Sequence, residues 1–269
     1  MEVKIKKGVG NMLIGKFLIR GEIKVITGLR IGGSATGLKI GGVDLNVITD
    51  PEGKPYIPGS SLKGKMRSLM ENKLGRIRDD GKVHYCTIDE EYSNCPVCKI
   101  WGISPTEKDI EITLPTLTRL LVRDTYLDEE SITEEMKKNM DLRWTEVKTE
   151  NLINRVQGSA EHPRQIERVP AGAVFKPMEM VYNVFEDSDK DLLKSVFEAM
   201  ELLEHDYLGG MGSRGYGKIE FHNIEVLWND KNAYENGELN KKAVNGNFKT
   251  PSEIVNNFEE IKKLIAGGE

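Results

Sequence analysis

Four residues between positions 84 and 98 have the side chains and the spacing of a metal site. They are His84, Cys86, Cys95 and Cys98, and they include all three cysteines of the chain. Three thiolates and one imidazole nitrogen supply the four ligands of tetrahedral Zn²⁺, and the last two cysteines have C-x-x-C spacing. The pattern predicts structural zinc, because four protein ligands leave no position open for catalysis. The alternatives are reduced thiols without a metal, or a set in which His84 does not take part.

A second candidate for chemistry is the carboxylate of Asp44, which follows the pair Gly41–Gly42. Residues 31–42 contain five glycines, which predicts a mobile loop that runs into Asp44. Such a carboxylate can accept a proton or hold a divalent cation near a phosphate. From the residues alone, however, an aspartate beside glycines is more often a turn residue that accepts backbone hydrogen bonds. Asp50 precedes Pro51, and this pair favours a purely structural turn.

A basic helix is predicted after these residues, from Pro58 to about Leu74. Its apolar residues recur at helical spacing and form one face: Leu62, Met66, Leu69, Met70 and Leu74. We expect Ser60 or Ser61 to cap the helix. Free N–H groups of the first turn, together with Lys63, Lys65 and Arg67, can hold a phosphate. The alternative is an ordinary helix whose basic face is solvated.

Composition limits the class of protein. The chain has 269 residues and a formal net charge of −5, which argues against a general nucleic-acid coat but allows a local basic groove. No apolar run reaches 18 residues, so no membrane span is expected. The basic N-terminus is not followed by an apolar segment, which argues against a signal peptide. A cytoplasmic location is therefore expected.

The remaining pattern alternates strands and helices. Strands are predicted at 13–26, 113–126, 173–185 and 218–228, the last with a shift near His222, and helices at 128–140 and 187–204. A short helix follows the capping box at Thr250 to Glu253. Residues 144–172 are polar and aperiodic, which predicts a long loop that is poorly ordered in the isolated subunit.

This order predicts an α+β, ferredoxin-like (RRM-like) βαββαβ core. We expect one domain over residues 13–228, with a zinc-binding insertion at 79–112 and a second insertion at 127–172. Residues 229–269 form a C-terminal tail with a short helix. The glycine-rich loop Gly209–Gly217 lies between a helix and a strand, the reverse of a dinucleotide site, so NAD or ATP binding is not expected. Two interpretations of this loop remain: a close approach to RNA or to another subunit, and a simple tight turn.

Three blocks of sequence occur in one order along the chain. The first contains I-G-G-V-D, I-T-D-P and I-P-G-S-S-L-K-G-K-M-R. The second is E-N-L-I-N-R with P-R-Q-I-E-R-V-P-A-G, and the third is L-G-G-M-G-S-R-G-Y-G-K. Together they resemble the backbone subunit of type III-A CRISPR Csm complexes, the third-named Csm subunit, in the RAMP superfamily. The resemblance implies a RAMP core in which residues 127–172 form a projecting thumb that wedges into the guide–target duplex.

The resemblance also implies a function. It implies a filament subunit that binds guide RNA, assembles with copies of itself and with other Csm subunits, and cleaves bound target RNA. Asp44 matches the aspartate required for that metal-dependent endoribonuclease reaction, with Mg²⁺ or Mn²⁺ bound weakly. The expected RNA contacts are Arg30, Ser60, Ser61, Lys63, Lys65, Arg67, Arg155, Arg164, Arg168 and Arg214. Where the family commonly has histidine this chain has Arg30, which cannot act as a neutral base, so a phosphate contact is expected.

Other functions stay open at this level. The same filament subunit without cleavage would leave Asp44 with a structural role. A processing endoribonuclease of the same superfamily is a third possibility, although the first 83 residues contain no histidine. The backbone subunit of type III-B complexes is a close sibling, but I-G-G-V-D with E-R-V-P-A-G favours the Csm side.

Overall fold

The strands and helices are those of an α+β protein. The structure, a computed structural model, describes residues 13–33, 44–104, 109–239 and 243–266. The strands are β1 Gly15–Val25, β2 Tyr56–Ile57, β3 Leu120–Val122, β4 Thr125–Tyr126, β5 Glu146–Ile153, β6 Ala160–Arg168, β7 Val174–Val184 and β8 Ile219–Asp230. The α-helices are α1 Gly59–Lys73, α2 Asp89–Ser93, α3 Pro96–Trp101, α4 Glu134–Lys138, α5 Ser188–Glu204, α6 Lys231–Asn236, α7 Pro251–Asn256 and α8 Phe258–Ala266. The first twelve residues and most of the predicted glycine-rich loop before Asp44 lie outside the described residues.

Four strands form an antiparallel sheet in the order β3–β7–β1–β8. Helix α1 lies in the chain between β1 and β3, and α5 lies between β7 and β8. Numbered within the core alone, the sheet order is second, third, first and fourth strand, which is the ferredoxin-like βαββαβ arrangement. The predicted fold is therefore confirmed.

The core lies between this sheet and the two helices. Alternate residues of β1 point into it, and Phe17, Ile19, Ile23 and Val25 have no exposed surface. The helices contribute apolar residues at helical spacing: Leu62, Met66 and Met70 from α1, and Leu193, Val196, Phe197, Met200 and Leu203 from α5. The pairing of β1 with β8 shifts between Arg20 and Glu22, opposite Asn223, whose φ is 54°. The shift predicted near this position is confirmed.

Two predicted elements are much shorter than expected. In place of a strand over 113–126, the structure has only β3 and β4. Leu114 and Leu117 are exposed, and the backbone N–H groups of Thr113 and Leu114 donate to the Asp89 carboxylate rather than to a strand. In place of a helix over 128–140, a 3-10 turn at Glu129–Ser131 precedes α4. Acidic composition favoured a helix here, but little apolar surface is available to hold one on the core.

The largest correction concerns residues 144–172, which form an antiparallel hairpin of β5 and β6 and not a structureless loop. Pairing runs from Glu146 opposite Arg168 to Ile153 opposite Ala160, with a bulge between Glu150 and Leu152. About half of the side chains of the two strands are exposed, and the sequence lacks the apolar alternation by which strands are usually recognised.

At the C-terminus, the capping box of Thr250 and Glu253 is present and begins α7. The expected single helix is two, because the chain breaks at Asn257 before α8 begins. Among the described residues, no helix is long and apolar enough to cross a membrane.

Candidate nucleic-acid interface and zinc site

Asp44 is exposed and begins a short extended segment that runs beside β6. Its carboxylate oxygen Oδ2 accepts a hydrogen bond from the backbone N–H of Gln165 at 2.9 Å. Leu45 pairs in parallel with Ile166, and the Glu167 N–H donates to the Leu45 carbonyl at 2.9 Å. The residues that follow Asp44 are thus fixed to the hairpin. Of the loop predicted to be mobile, residues 31–42, only residues 31–33 lie in the described part of the chain.

The other side of the segment pairs with the residues that follow β1. Gly32 lies opposite Val47 in an antiparallel bridge, and the Ile48 N–H donates to the Ile31 carbonyl at 2.9 Å. Further along, Asp50 closes a separate turn, because its Oδ1 accepts the Lys54 N–H at 2.8 Å. The turn predicted at Asp50 is confirmed.

The base of the hairpin is docked on the glycine-rich loop through Glu150. This carboxylate accepts a hydrogen bond from the Tyr216 hydroxyl at 2.8 Å and lies 3.2 Å from Lys148 Nζ and 3.3 Å from Arg214 Nη1. The hydrogen bond from Tyr216, followed by the neighbouring cations, lowers the pKa of the Glu150 carboxyl. Burial and the same bond raise the pKa of Tyr216 to about 12, so the carboxylate–phenol pair is stable at neutral pH.

Two predicted arginines lie close to this contact. Arg168 donates through Nε to Glu146 Oε1 at 2.6 Å, and its guanidinium lies over the Tyr216 ring at 5.1 Å. The side chain of Arg168 also covers Gly28, where an added Cβ would lie 2.4 Å from its Cδ. Arg168 is therefore largely engaged inside the protein, while Arg164 on the same strand is exposed and has no ion pair among the described residues.

Arg30 lies against the glycine-rich loop. Its carbonyl accepts the Gly210 N–H at 2.9 Å, and a Cβ at Gly209 would lie 2.2 Å from that carbonyl oxygen. Gly209 has a φ of 79°, so this close approach requires glycine. The Nε of Arg30 is buried and has no hydrogen-bond partner in the described part of the chain.

A cleft of about 360 Å³ opens between the hairpin and the glycine-rich loop. It is lined by Glu150, Asn151, Leu152, Arg164, Ile166, Met211 and Arg214. Arg164 and Ile166 flank Gln165, whose backbone N–H holds Asp44. Arg164 and Arg214 thus line one cleft, and Asp44 is held next to it through Gln165 without lining it. Neither the spacing nor the composition of the sequence revealed this arrangement.

The basic residues of α1 differ from one another. Lys65 lies 3.1 Å from Asp206 and 3.9 Å from the centre of the Tyr207 ring, just before the glycine-rich loop. Lys63 is half-buried and has no hydrogen bond or ion pair among the described residues. Burial, and then the charge of Arg67, lower the pKa of the Lys63 ammonium. An unpaired, partly desolvated cation has the properties of a phosphate contact.

Arg67 requires a correction. Its Nε donates to Glu71 at 2.8 Å, Nη1 donates to the Gly102 carbonyl at 3.0 Å, and Nη2 donates to the His84 carbonyl. Glu71 also accepts the His84 N–H at 3.3 Å. The guanidinium expected to contact RNA instead joins α1 to both ends of the segment that carries the cysteines.

The predicted serine cap is also wrong. Helix α1 begins at Gly59 with Pro58 in the cap position and without a side-chain capping bond. The Gly59 N–H donates to Asp124 Oδ1 at 2.7 Å instead, which satisfies one of the free N–H groups of the first turn. Ser60 is exposed on this turn and Ser61 is half-buried. Arg155, another predicted contact, is exposed at the tip of the hairpin, between β5 and β6.

The four candidate zinc ligands come together. One ligand atom from each of His84, Cys86, Cys95 and Cys98 lies within 4.8 Å of all the others, and the three cysteines are buried. Cys95 is the N-cap of α3, and its Sγ accepts the Cys98 N–H at 3.5 Å. Hydrogen bonds from Cys86 and Cys98 lower the pKa of the Cys95 thiol. A buried donor set of three sulfurs and one nitrogen fits Zn²⁺.

Comparison with known proteins identifies the family of this chain. The profile of the RAMP superfamily matches residues 22–220. The chain belongs to this superfamily. A protein of Methanocaldococcus jannaschii named CRISPR system Cms endoribonuclease Csm3 is 44% identical over 258 residues, which are 95% of this chain and 96% of that protein. A Streptococcus thermophilus protein of the same name is 36% identical over 219 residues, covering 80% and 91%.

Solved structures agree. The Csm3–Csm4 subcomplex of the type III-A CRISPR-Cas interference complex is matched with a TM-score of 0.57 at 33% identity, over 94% of this chain and 97% of that one. The Methanopyrus kandleri Csm3 crystal structure is matched with a TM-score of 0.62 over 93% and 98%, and at 21% identity it supports the fold alone. The resemblance to the third-named Csm subunit is confirmed.

Proposed function

We propose that this chain is a guide-RNA-binding filament subunit of a type III-A CRISPR effector complex, and that it cleaves bound target RNA with Asp44 as the catalytic residue. Its relatives carry the name endoribonuclease. The observation that carries the proposal is the position of Asp44: an exposed carboxylate beside the cleft that Arg164 and Arg214 line. Residues 13–228 would form one domain, with the insertion at 79–112 and the thumb at 127–172.

RNA cleavage does not require a nucleophile from the protein, because the RNA's own 2′-OH can attack the adjacent phosphorus when the geometry is in line. Asp44 would accept the proton of that hydroxyl, and Arg164 and Arg214 would balance charge on the phosphate. One oxygen of Asp44 is held by Gln165, which leaves the other for substrate. A single exposed carboxylate fits Mg²⁺ or Mn²⁺ only together with RNA oxygens, and a bound ion would supply further charge stabilisation.

Guide and target binding would use residues outside this reaction. The proposed RNA contacts lie on three parts of the chain. They are Ser60, Ser61, Lys63 and Lys65 on α1, Arg30 at the glycine-rich loop, and Arg155, Arg164, Arg168 and Arg214 around the hairpin. Neighbouring copies of the chain and other Csm subunits would complete the groove. Zinc at His84, Cys86, Cys95 and Cys98 would be structural. We place this activity in the cytoplasm.

The decisive substitution is Asp44→Asn. The amide oxygen can still accept the Gln165 N–H, so the segment keeps its position while the charge is lost. In assembled complexes with labelled target RNA, cleavage should stop, and guide and target affinity should stay within about 1 kcal/mol because phosphate contacts elsewhere dominate binding. Wild-type cleavage should stop with EDTA and return with Mg²⁺ or Mn²⁺.

Asp50→Asn is the matched control. It removes a carboxylate six residues away that also accepts a backbone N–H but lies in a separate turn. This variant should cleave like the wild type. Normal cleavage by Asp44→Asn would contradict the proposal and favour a second function, a binding-only subunit, for which the hydrogen bond between Asp44 and Gln165 is the supporting observation.

A further inference from the structure

A buried carboxylate on β6 has no part in the function described so far. Glu167 belongs to the E-R-V-P-A-G stretch and is only 9% exposed. Its Oε1 accepts the Thr145 hydroxyl at 2.7 Å, and its Oε2 accepts the Val47 N–H at 2.9 Å. No lysine, arginine or histidine among the described residues forms an ion pair with it. Burying a carboxylate without a cation is unfavourable, and the two hydrogen bonds offset part of that cost. The burial of Glu167 at this position therefore needs a reason.

The reason lies in what the two donors belong to. Thr145 is itself buried and lies at the start of the hairpin, next to β5. Val47 follows Asp44 by three residues, in the segment that pairs with β6 on one side and with Gly32 on the other. Glu167 therefore joins the hairpin base to the Asp44 segment with one side chain. The backbone contacts of Leu45 lie on the same strand, so Glu167 and Leu45 together define the register of the segment.

We propose that Glu167 is a positioning residue for Asp44: its carboxylate holds the Val47 N–H so that Asp44 stays beside the cleft. The inference rests on the proposed role of Asp44. The link also ties Asp44 to the thumb, because any movement of β6 against the core carries Glu167, Val47 and Asp44 with it. A contact made by the hairpin with an RNA duplex would therefore act directly on the position of the catalytic carboxylate.

Two conservative variants separate a positioning role from a chemical one. Glu167→Gln removes the charge but keeps the length: its carbonyl can accept the Val47 N–H, and its amide can donate to the Thr145 hydroxyl, which can accept as well as donate. Glu167→Asp keeps the charge but is one methylene shorter, so it cannot reach both donors. Positioning predicts that Gln is the better replacement, whereas a charge, proton-transfer or metal-ligand role predicts that Asp is.

The measurement is single-turnover cleavage of saturating target RNA by the assembled complex. Glu167→Gln should cleave within about threefold of the wild type, because a neutral hydrogen bond replaces a charged one without moving the segment. Glu167→Asp should cleave about 100-fold more slowly, since a displacement of about 1 Å at a catalytic group has that effect. Target affinity should be unchanged in both. Asp141→Asn is the control, because Asp141 accepts the Val147 N–H at 2.8 Å on the other strand of the same hairpin and has no hydrogen bond to the Asp44 segment among the described residues.

A second readout does not depend on cleavage. Hydrogen exchange at the Val47 amide in the isolated subunit should be at least about tenfold faster in Glu167→Asp than in the wild type or Asp141→Asn. If Asp44→Asn still cleaves, the catalytic proposal fails while this exchange result still tests the link. Wild-type cleavage by Glu167→Asp, or slower cleavage by Gln than by Asp, would overturn the positioning role. Should Glu167→Asp not assemble, Thr145→Val tests the same link from its other end, and an unchanged cleavage rate there would also overturn it.

Discussion

Lys63 and Arg67 lie four residues apart on the same helix but have different environments. All three guanidinium nitrogens of Arg67 donate to groups within the protein, whereas Lys63 has no partner among the described residues. Sequence spacing puts both on one face, but it does not show that the insertion at His84 and Gly102 covers one of them. We therefore infer a structural role for Arg67, and the RNA contact at Lys63 stays a proposal.

These two roles predict opposite effects of alanine. Lys63→Ala should weaken guide-RNA binding for all sequences alike and reduce the salt slope by about one, while leaving stability unchanged. Arg67→Ala should lower the free energy of unfolding by about 2 kcal/mol or more, because it leaves two carbonyls and a carboxylate without their charged donor. Filter binding across a salt series and urea denaturation measure the two effects. A normal salt slope in Lys63→Ala would show that the cation is merely solvated.

Arg119 and Asp189 form a buried ion pair that also acts at the scale of single residues. Arg119 Nε lies 3.0 Å from Asp189 Oδ1, and the two side chains are 2% and 0% exposed. Arg119 also donates to the Tyr92 hydroxyl at 2.8 Å, and Asp189 Oδ2 accepts the Phe185 N–H at 2.9 Å. The pair thus connects the zinc insertion, through α2, to the start of α5.

Breaking one partner of this pair should be strongly destabilising. Asp189→Ala leaves the buried Arg119 charged, with only the longer 3.6 Å ion pair between its Nη2 and Glu186 Oε1 among the described residues, and should lower the free energy of unfolding by about 3–5 kcal/mol. Tyr92→Phe removes one hydrogen bond from the same guanidinium and should lower it by about 1 kcal/mol. Urea denaturation of both variants checks the order. Equal losses in the two would mean that the ion pair contributes little beyond the bond to Tyr92.

At the scale of elements, the hairpin of β5 and β6 organises the candidate site. One strand carries Arg164 and Arg168, the backbone N–H that holds Asp44, and Glu167. Side chains alternate along a strand, so a slip by one residue would exchange Arg164 and Arg168 with the buried Glu167. The bulge at Glu150 and the bonds of that residue to Tyr216 and Arg214 fix the register on the glycine-rich loop.

Hydrogen exchange on the isolated subunit tests this arrangement. Amides paired at the hairpin base, such as Ile166, should be protected, whereas amides at the tip around Val156, which is 95% exposed, should exchange rapidly. Tyr216→Phe should raise exchange at the base by removing the bond to Glu150. Rapid exchange along the whole hairpin in the wild type would restore the expectation of a segment that is ordered only in the assembly.

At the scale of the whole molecule, the zinc insertion is attached to the core at two places. Arg67 and Glu71 hold His84 and Gly102 on α1, and Tyr92 reaches Arg119 and Asp189. Helix α1 also carries Lys63, and Lys65 touches Tyr207 before the glycine-rich loop. Metal binding at the insertion is therefore linked by direct contacts to the surface proposed to bind RNA.

Removal of the metal should affect both stability and binding. Elemental analysis should find about one zinc per chain, and a chelator should lower the free energy of unfolding because a structural zinc site contributes directly to folding. Cys98→Ser should reproduce the effect, and guide-RNA affinity should fall together with stability. Ser93→Ala, a change to an exposed residue of the same insertion, is the control. A stable protein purified without metal, with all four side chains unliganded, would contradict the zinc site.

The sequence determined what depends on local periodicity and on unusual residue types. The alternation in β1, the apolar stripes of α1 and α5, the capping box at Thr250 and the set of one histidine and three cysteines are visible in one dimension because each reflects a short-range rule. The three sequence motifs, in their order along the chain, also indicated the family. Leu114 and Leu117, by contrast, have strand-like composition but no partner strand, so local propensity was misleading there.

Tertiary structure decided which charged groups are free. Arg67 and Arg168 form hydrogen bonds within the protein, because distant segments supply their partners. Lys63 and Arg164 have no such partners among the described residues. The sequence did not predict the hairpin because its two strands lack an apolar period. Its hydrogen bonds form between strands that local propensity does not pair. The contact of Glu167 with Val47 spans 120 residues of sequence, and only the folded chain brings a buried carboxylate to the segment that carries Asp44.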